Sequence, residues 1–268
     1  MTLPEYKPSG FALQIFRDRY TIHDQETFSE ATLRLAEYIS NAEQGASRKE
    51  YSRRFRDILL TNRFSAGGRI WRGAGRKKSA MTNCFVLPVD DSREAWGELL
   101  KNVTIISGLG GGIGISFGKI RPRGTKIQGT GGVATGAVSL MKMVDAICNE
   151  LREGGGRRSA LSFGLPYNHP DIEEFLHVKL DKHELSNANI SVLIDNEFLD
   201  LVKSDGDILL AWAGQKIKTV KAKWMYDKIV ENSLISGDPG FLNMGFAEEM
   251  NNLSYCRKLS CANPCGEQ

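Results

Sequence analysis

Three consecutive stretches, Asn83-Cys-Phe-Val-Leu-Pro-Val89, Arg93 to Ile106, and Gly112-Ile-Gly-Ile-Ser-Phe117, read as strand, helix and strand. The first and last are short apolar runs, and the middle one is longer and amphipathic. That alternation is the repeating unit of an α/β domain. It continues outward. Strands are expected near Cys84–Val89, Gly112–Phe117, Ala160–Leu165, Ala188–Ile194 and Gly240–Asn243. Helices are expected near Arg93–Ile106, Ala137–Leu151, Pro170–Lys179, Asn196–Lys203 and Lys223–Leu234. The helix after His169 carries start signals: Pro170 at its first position, with Asp171, Glu173 and Glu174 in the first turn near the positive end of the dipole.

Upstream the pattern differs. Phe28, Ala31, Leu33, Leu35, Ala36 and Ile39, then Tyr51, Phe55, Ile58 and Leu59, repeat with a roughly helical period. Residues 1–65 are therefore expected to form a helical N-terminal region and 66–268 an α/β domain. The 35 Lys and Arg against 32 Asp and Glu leave a net charge of +3, too small to suggest nucleic acid as a partner. The longest uncharged stretch, Val103–Gly118, is short and holds six glycines, and no signal-peptide pattern opens the chain. A cytoplasmic protein with no membrane contact and with reduced thiols is the expectation.

Fourteen of the 28 glycines lie between Gly108 and Gly156. They satisfy neither G-x-G-x-x-G nor the P-loop pattern. With Lys119, Arg121, Arg123, Lys126, Arg157 and Arg158 beside them they suit a phosphate group, and they equally suit tight turns with solvated charges. Three of the five cysteines crowd the end as Cys256-x4-Cys261-x3-Cys265. That spacing is a poor zinc knuckle with no histidine nearby, so no metal site is expected. A cysteine nucleophile with His169 as base stays open at this level. Asn263-Pro-Cys-Gly-Glu267 is more informative: proline and glycine favour a tight turn that groups an amide, a thiol and a carboxylate. Such a trio suits a ribose-like diol, although a plain turn with a buried cysteine would read the same residue by residue.

Taken in order, the motifs resemble the large catalytic chain of ribonucleotide reductases, most like the adenosylcobalamin-dependent class II. They are Ser65-Ala-Gly-Gly-Arg69, Asn83-Cys-Phe-Val-Leu-Pro88, Gly110-Gly-Gly-Ile-Gly114, Ile120-Arg-Pro-Arg-Gly124, Gly154-Gly-Gly-Arg-Arg158, His169-Pro-Asp-Ile-Glu-Glu-Phe175 and Asn263-Pro-Cys-Gly-Glu-Gln268. The resemblance implies the first half of a ten-stranded α/β barrel, ending at a finger loop that carries the radical cysteine. Cys265 would be the thiyl radical that takes the ribose 3′ hydrogen, Glu267 the base for the 3′ hydroxyl and Asn263 a hydrogen-bonding partner. Cys84 would be one of two thiols that reduce the 2′ carbon, the other lying past Gln268.

Substrate contacts are implied at Asn83, Gly112 and Arg158, and a deoxynucleotide effector site at Asp91, Ser92, Arg121 and Arg157. Loop one of that site would be about Lys126–Gly136 and loop two Gly154–Ser159. The chain departs from the family at Asn83, commonly Ser, and at Ser159, commonly Gly or Pro. The family's second half-barrel and C-terminal cysteine pair are missing, so a complementary C-terminal chain is expected as partner, and inactivity without it. The other implied participants are a ribonucleoside di- or triphosphate, a thioredoxin-type external reductant and, in a homodimer, a second copy of this chain. The short N-terminus predicts no ATP-binding regulatory domain. The competing reading is a nucleotide-binding or assembly module with vestigial chemistry. A class I enzyme with a separate metal radical subunit would use the same barrel.

Overall fold

The computed structural model describes residues 3–77, 79–129, 131–151 and 160–266. The contacts divide the chain into two compact units at Asn83/Cys84. The division falls later than 65/66 because Trp71 and Ala74 join the helical core instead of the sheet.

The N-terminal unit contains α1 (Gly10–Arg19), α2 (Phe28–Ser40), α3 (Gly45–Leu60) and α4 (Gly68–Gly73). A capping box starts α2: Thr27 accepts from the Glu30 amide while the Glu30 carboxylate takes the Thr27 N–H. Phe16, Ala31, Leu35, Leu59, Trp71 and Ala74 form its core. Arg34 ties the unit together. Its guanidinium meets Glu26 at 2.6 Å and donates to the carbonyls of Trp71, Ala74 and Tyr20 at 3.0, 2.6 and 3.2 Å.

The C-terminal unit is a parallel sheet whose strands are β1 (Cys84–Leu87), β2 (Gly112–Ser116), β3 (Leu161–Pro166), β4 (Ala188–Ile194) and β7 (Gly240–Asn243), in the order β1-β2-β3-β4-β7. The crossovers contain α5 (Arg93–Gly108), α6 (Ala137–Glu150), α7 (Ile172–His177), α8 (Asn196–Ser204) and α9 (Ala222–Ser236). All five strands anticipated from the sequence are present. Two features were not anticipated: an antiparallel hairpin between α8 and α9, β5 (Asp207–Trp212) with β6 (Gln215–Lys221), and a final helix α10 (Met244–Glu249). The hairpin turns at Ala213 and Gly214, both at positive φ, and buries Ile208, Leu210 and Val220 against the main core.

Register decides the two faces of the sheet. Ile113 pairs with Leu161 and Leu161 with Ala188; Ile115 pairs with Phe163 and Phe163 with Ile190. That set is buried with side chains from all five crossover helices, and Phe117 packs edge-on against Phe163 at 5.2 Å. The opposite parity carries the small or polar residues Cys84, Gly112, Gly114, Ser162, Gly164, Asn189, Ser191 and Gly240, with Val86, Pro166, Leu193 and Leu242 at its strand ends. A doubly wound sheet would cover both faces with helices and reverse its strand order. This sheet runs β1-β2-β3-β4-β7 without a reversal, and its crossover helices pack on the Ile113/Phe163 face.

The helix after His169 starts later than its sequence signals suggest. It begins at Ile172, after Pro170, and Asp171 makes no cap bond to it. The Asp171 carboxylate points elsewhere, to the loop after β2.

Candidate active site and effector cavity

The tail after α10 returns to the small-residue face of β2. A Cβ at Gly114 would lie 2.0 Å from the Ala262 carbonyl oxygen and 2.9 Å from the Asn263 Cα. A Cβ at Gly112 would lie 2.9 Å from Cys84 Sγ and 3.3 Å from Pro264 Cγ. The glycines of β2 are thus the seat of the tail, because only a residue without a side chain lets another backbone come this close. Gly112 also stands between the Cys84 sulfur and the residue before Cys265.

The Asn263–Gly266 segment is the tight turn expected from its proline and glycine. The Gly266 N–H donates to the Asn263 carbonyl at 3.0 Å, and Gly266 has φ +80°. Asn263 is buried under the turn, whereas Cys265 at the tip is exposed. Cys261 is buried beside the seat, and burial pushes its thiol up to about 11, with a backbone hydrogen bond from Ala262 opposing. A second thiol, Cys148 on α6, is buried against Ser107 of α5 at 3.2 Å, and burial raises it too. Both belong to packing.

The structure therefore brings Cys84, Gly112, Asn263 and the Cys265 turn to one face. Asn83 is exposed and belongs to the helical unit. Glu267, Arg157, Arg158 and loop two lie outside the described residues. Among the described residues no group of three or more His, Cys, Asp or Glu could hold a metal ion, and no helix is long and apolar enough to cross a membrane.

A cavity of about 510 Å³ opens beside the N-terminus of α5, lined by Asp91, Ser92, Trp96, Arg121, Val133 and Met143 among others. Asp91 and Arg121 form one of its walls. The Arg121 side chain donates to the Asp91 carboxylate at 2.6 Å, and its backbone N–H donates to the same carboxylate at 3.2 Å. Ser92 is the N-cap of α5, its hydroxyl accepting from the Ala95 N–H at 3.0 Å. Another wall is the loop between Arg123 and Ala137, which contributes Ile127, Val133, Ala134, Thr135 and Gly136 and is folded back on itself by a bridge between Lys126 and Val133. Three residues implied by the resemblance, Asp91, Ser92 and Arg121, thus line one cavity. Val133, within the loop one expected at Lys126–Gly136, lines it too, as do Trp96 and Met143, which were missed; the helical position of Trp96 one turn after Ser92 was the available signal.

Comparison with known proteins decides the family. The profile described as "Ribonucleotide reductase, barrel domain" matches residues 82–268. The chain belongs to the ribonucleotide reductase large-chain family. Its residues 6–79 match a second profile, "Ribonucleotide reductase, all-alpha domain", in agreement with the helical unit. It is 36% identical to the vitamin B12-dependent ribonucleoside-diphosphate reductase of Thermoplasma acidophilum over 84% of this chain and 30% of that one. The enzyme of the same name from Mycobacterium tuberculosis is 30% identical over 98% of this chain and 40% of its own. The ribonucleoside-diphosphate reductase large subunit of vaccinia virus is 27% identical over 72% of this chain and 29% of its own. This ribonucleotide reductase chain spans 30% to 40% of the length of the two B12-dependent relatives named here.

Proposed function

We propose that this chain supplies the first half of the catalytic barrel of a ribonucleotide reductase. With the sequence that completes the barrel, it converts ribonucleotides to deoxyribonucleotides by thiyl-radical chemistry. The observation that carries the reading is the convergence of Cys84 and the Cys265 turn on the two glycines of β2. The run of small residues Cys84, Gly112, Gly114, Ser162 and Gly164 on one face of the sheet supports closure into a ten-stranded barrel, where a radical is kept from water.

In this reading the Cys265 sulfur, as a thiyl radical, takes the 3′ hydrogen atom and returns it after reduction. Glu267 accepts the 3′ hydroxyl proton, and Asn263, held by burial under the turn, orients that hydroxyl. The 2′ hydroxyl leaves as water with a proton from a thiol. Cys84 and a second thiol give two electrons to the sugar and end as a disulfide, which a thioredoxin-type protein then reduces. Arg158, Asn83 and Gly112 are assigned to substrate.

Adenosylcobalamin is the cofactor the relatives' names point to, and when bound it supplies the radical that oxidises a thiol. The residues present fit: Cys265 is a free thiol exposed at the tip of a turn and is the residue that would face it. The cavity beside α5 is assigned to a deoxynucleotide effector held by Asp91, Ser92, Arg121 and Arg157. Val133 and Met143 at its mouth are 64% and 43% exposed, which favours a second copy of the chain covering it.

The test is reconstitution with the completing sequence, a ribonucleoside di- or triphosphate, adenosylcobalamin and a dithiol reductant. Deoxynucleotide formation that disappears in Cys265→Ser is expected. Turnover only with a separate metalloprotein subunit would replace adenosylcobalamin with a class I radical source. No turnover in any pairing, with nucleotide still bound, would favour the binding or assembly module.

A further inference from the structure

The His169-Pro-Asp-Ile-Glu-Glu-Phe175 segment is part of the family likeness, yet neither the chemistry nor the cavity walls use it. Three of its polar side chains, His169, Asp171 and Glu174, turn to the segment that follows β2. The His169 Nε2 donates to the Ile120 carbonyl at 2.8 Å, while its Nδ1 accepts the Asp171 N–H at 3.0 Å. One oxygen of the Asp171 carboxylate accepts the Arg123 N–H at 2.9 Å, and the other accepts the buried Ala137 N–H, also at 2.9 Å. Glu174 holds the Arg123 guanidinium through both oxygens, at 2.8 and 2.7 Å.

Arg123 and Ala137 are the two ends of the loop that forms a wall of the cavity. Ala137 is also the first residue of α6, whose N-cap Gly136 has no side chain to offer. Asp171 is 6% exposed, so its charge is held almost wholly by these backbone amides and by the dipole of α6. Gly136 leaves room for it: a Cβ there would lie 2.6 Å from the carboxylate. A loop fixed at both ends by one buried carboxylate keeps its wall in place before any ligand arrives, and that lowers the ordering cost of binding.

We propose that the His169–Glu174 turn is the clasp of this cavity, with Asp171 a positioning residue that joins the two ends of the Arg123–Ala137 loop and thereby sets the affinity for nucleotide. The inference rests on the effector reading of the cavity. The experiment uses the 268-residue chain and its Asp171→Asn variant, titrated by calorimetry with dATP, dGTP and dTTP in turn. Hydrogen exchange at the Arg123 and Ala137 amides is followed without nucleotide. Asparagine keeps the size but replaces one acceptor with a donor, so one loop end is released.

Expected are nucleotide binding about tenfold weaker, the factor for one lost charge-assisted bond, and faster exchange at those two amides with the sheet amides unchanged. A folded variant that binds nucleotide within twofold of the parent overturns the clasp, whatever the exchange shows. If the parent chain binds no deoxynucleotide, the effector reading falls. The clasp then stands only if the two amides lose protection, and unchanged protection overturns it as well. Should Asp171→Asn fail to fold, Glu174→Gln, at a partly exposed ion pair, replaces it. A severalfold loss of affinity with faster exchange at Arg123 is expected there, and no change in either overturns the proposal.

Discussion

Replacing Gly114 with alanine tests the seat of the catalytic turn without touching any reacting group. The new Cβ would lie 2.0 Å from the Ala262 carbonyl oxygen, 2.8 Å from its carbon and 2.9 Å from the Asn263 Cα, all backbone atoms. Ordinary contact begins near 3.4 Å, so the tail must rise by about 1.4 Å, the difference of the two distances. Gly114 is not among the glycines at positive φ, and alanine costs a strand interior less than glycine, so the sheet itself keeps its stability. The perturbation falls on the turn alone. A displacement of that size at reacting atoms lowers turnover about a hundredfold in the reconstituted enzyme.

A second readout needs no activity. Cys261 lies beside the seat with its thiol raised from 9.0 to about 11, and lifting the tail returns it to water. At pH 8 its thiolate fraction then rises roughly a hundredfold, while the lower basicity of the sulfur takes back a factor of about eight. Alkylation of Cys261, followed by peptide mass spectrometry, is expected to accelerate at least about tenfold. Unchanged turnover, together with Cys261 alkylation within twofold of the parent, would refute the idea that the glycines of β2 position the turn.

Gly112→Ala is expected to be milder, losing about tenfold in turnover, because its Cβ meets the Cys84 sulfur at 2.9 Å and a proline ring at 3.3 Å, atoms that give way more easily than backbone. Arg34→Met leaves Glu26 buried and unpaired, with three carbonyls bereft of their donor, and is expected to destabilise the helical unit by about 3–5 kcal/mol in urea unfolding, with the sheet unit unaffected by hydrogen exchange. Cys261 also predicts a pH dependence. Its folded value is raised, so the unfolded chain loses the proton first; stability is full below about pH 9 and falls as pH climbs towards 11. Cys261→Ala is expected to flatten the decline of Tm between those limits, with Cys148, also raised, contributing what remains.

Much of this was legible because it depends on neighbours in the chain. Strands and helices of the second unit follow from residue period, and the turn at Asn263–Gly266 from its proline and glycine. The hairpin at Asp207–Lys221 was missed although Ile208, Leu210 and Val220 are its buried positions. Its two strands are mostly charged or exposed, and the Ala213-Gly214 turn is not a pair that announces itself. The start of α7 was misplaced for the opposite reason. Pro170 and Asp171 have the right local chemistry for a helix start, but the carboxylate gains more from two loop amides than from its own helix.

Sequence alone determined that the second unit is α/β, that its motifs run in the order of a ribonucleotide reductase barrel, and which residue types gather at the terminal turn. Only the tertiary structure decided which face of each strand is inward, that Cys84 and the turn at Cys265 meet over Gly112, and that Asp171 serves a loop ending 34 residues before it, at Ala137. Periodicity carries information over a few residues. Strand register and backbone approach are settled by packing between segments far apart in the chain, where a missing side chain at Gly112 or Gly114 acquires meaning only from the atoms that fill its place.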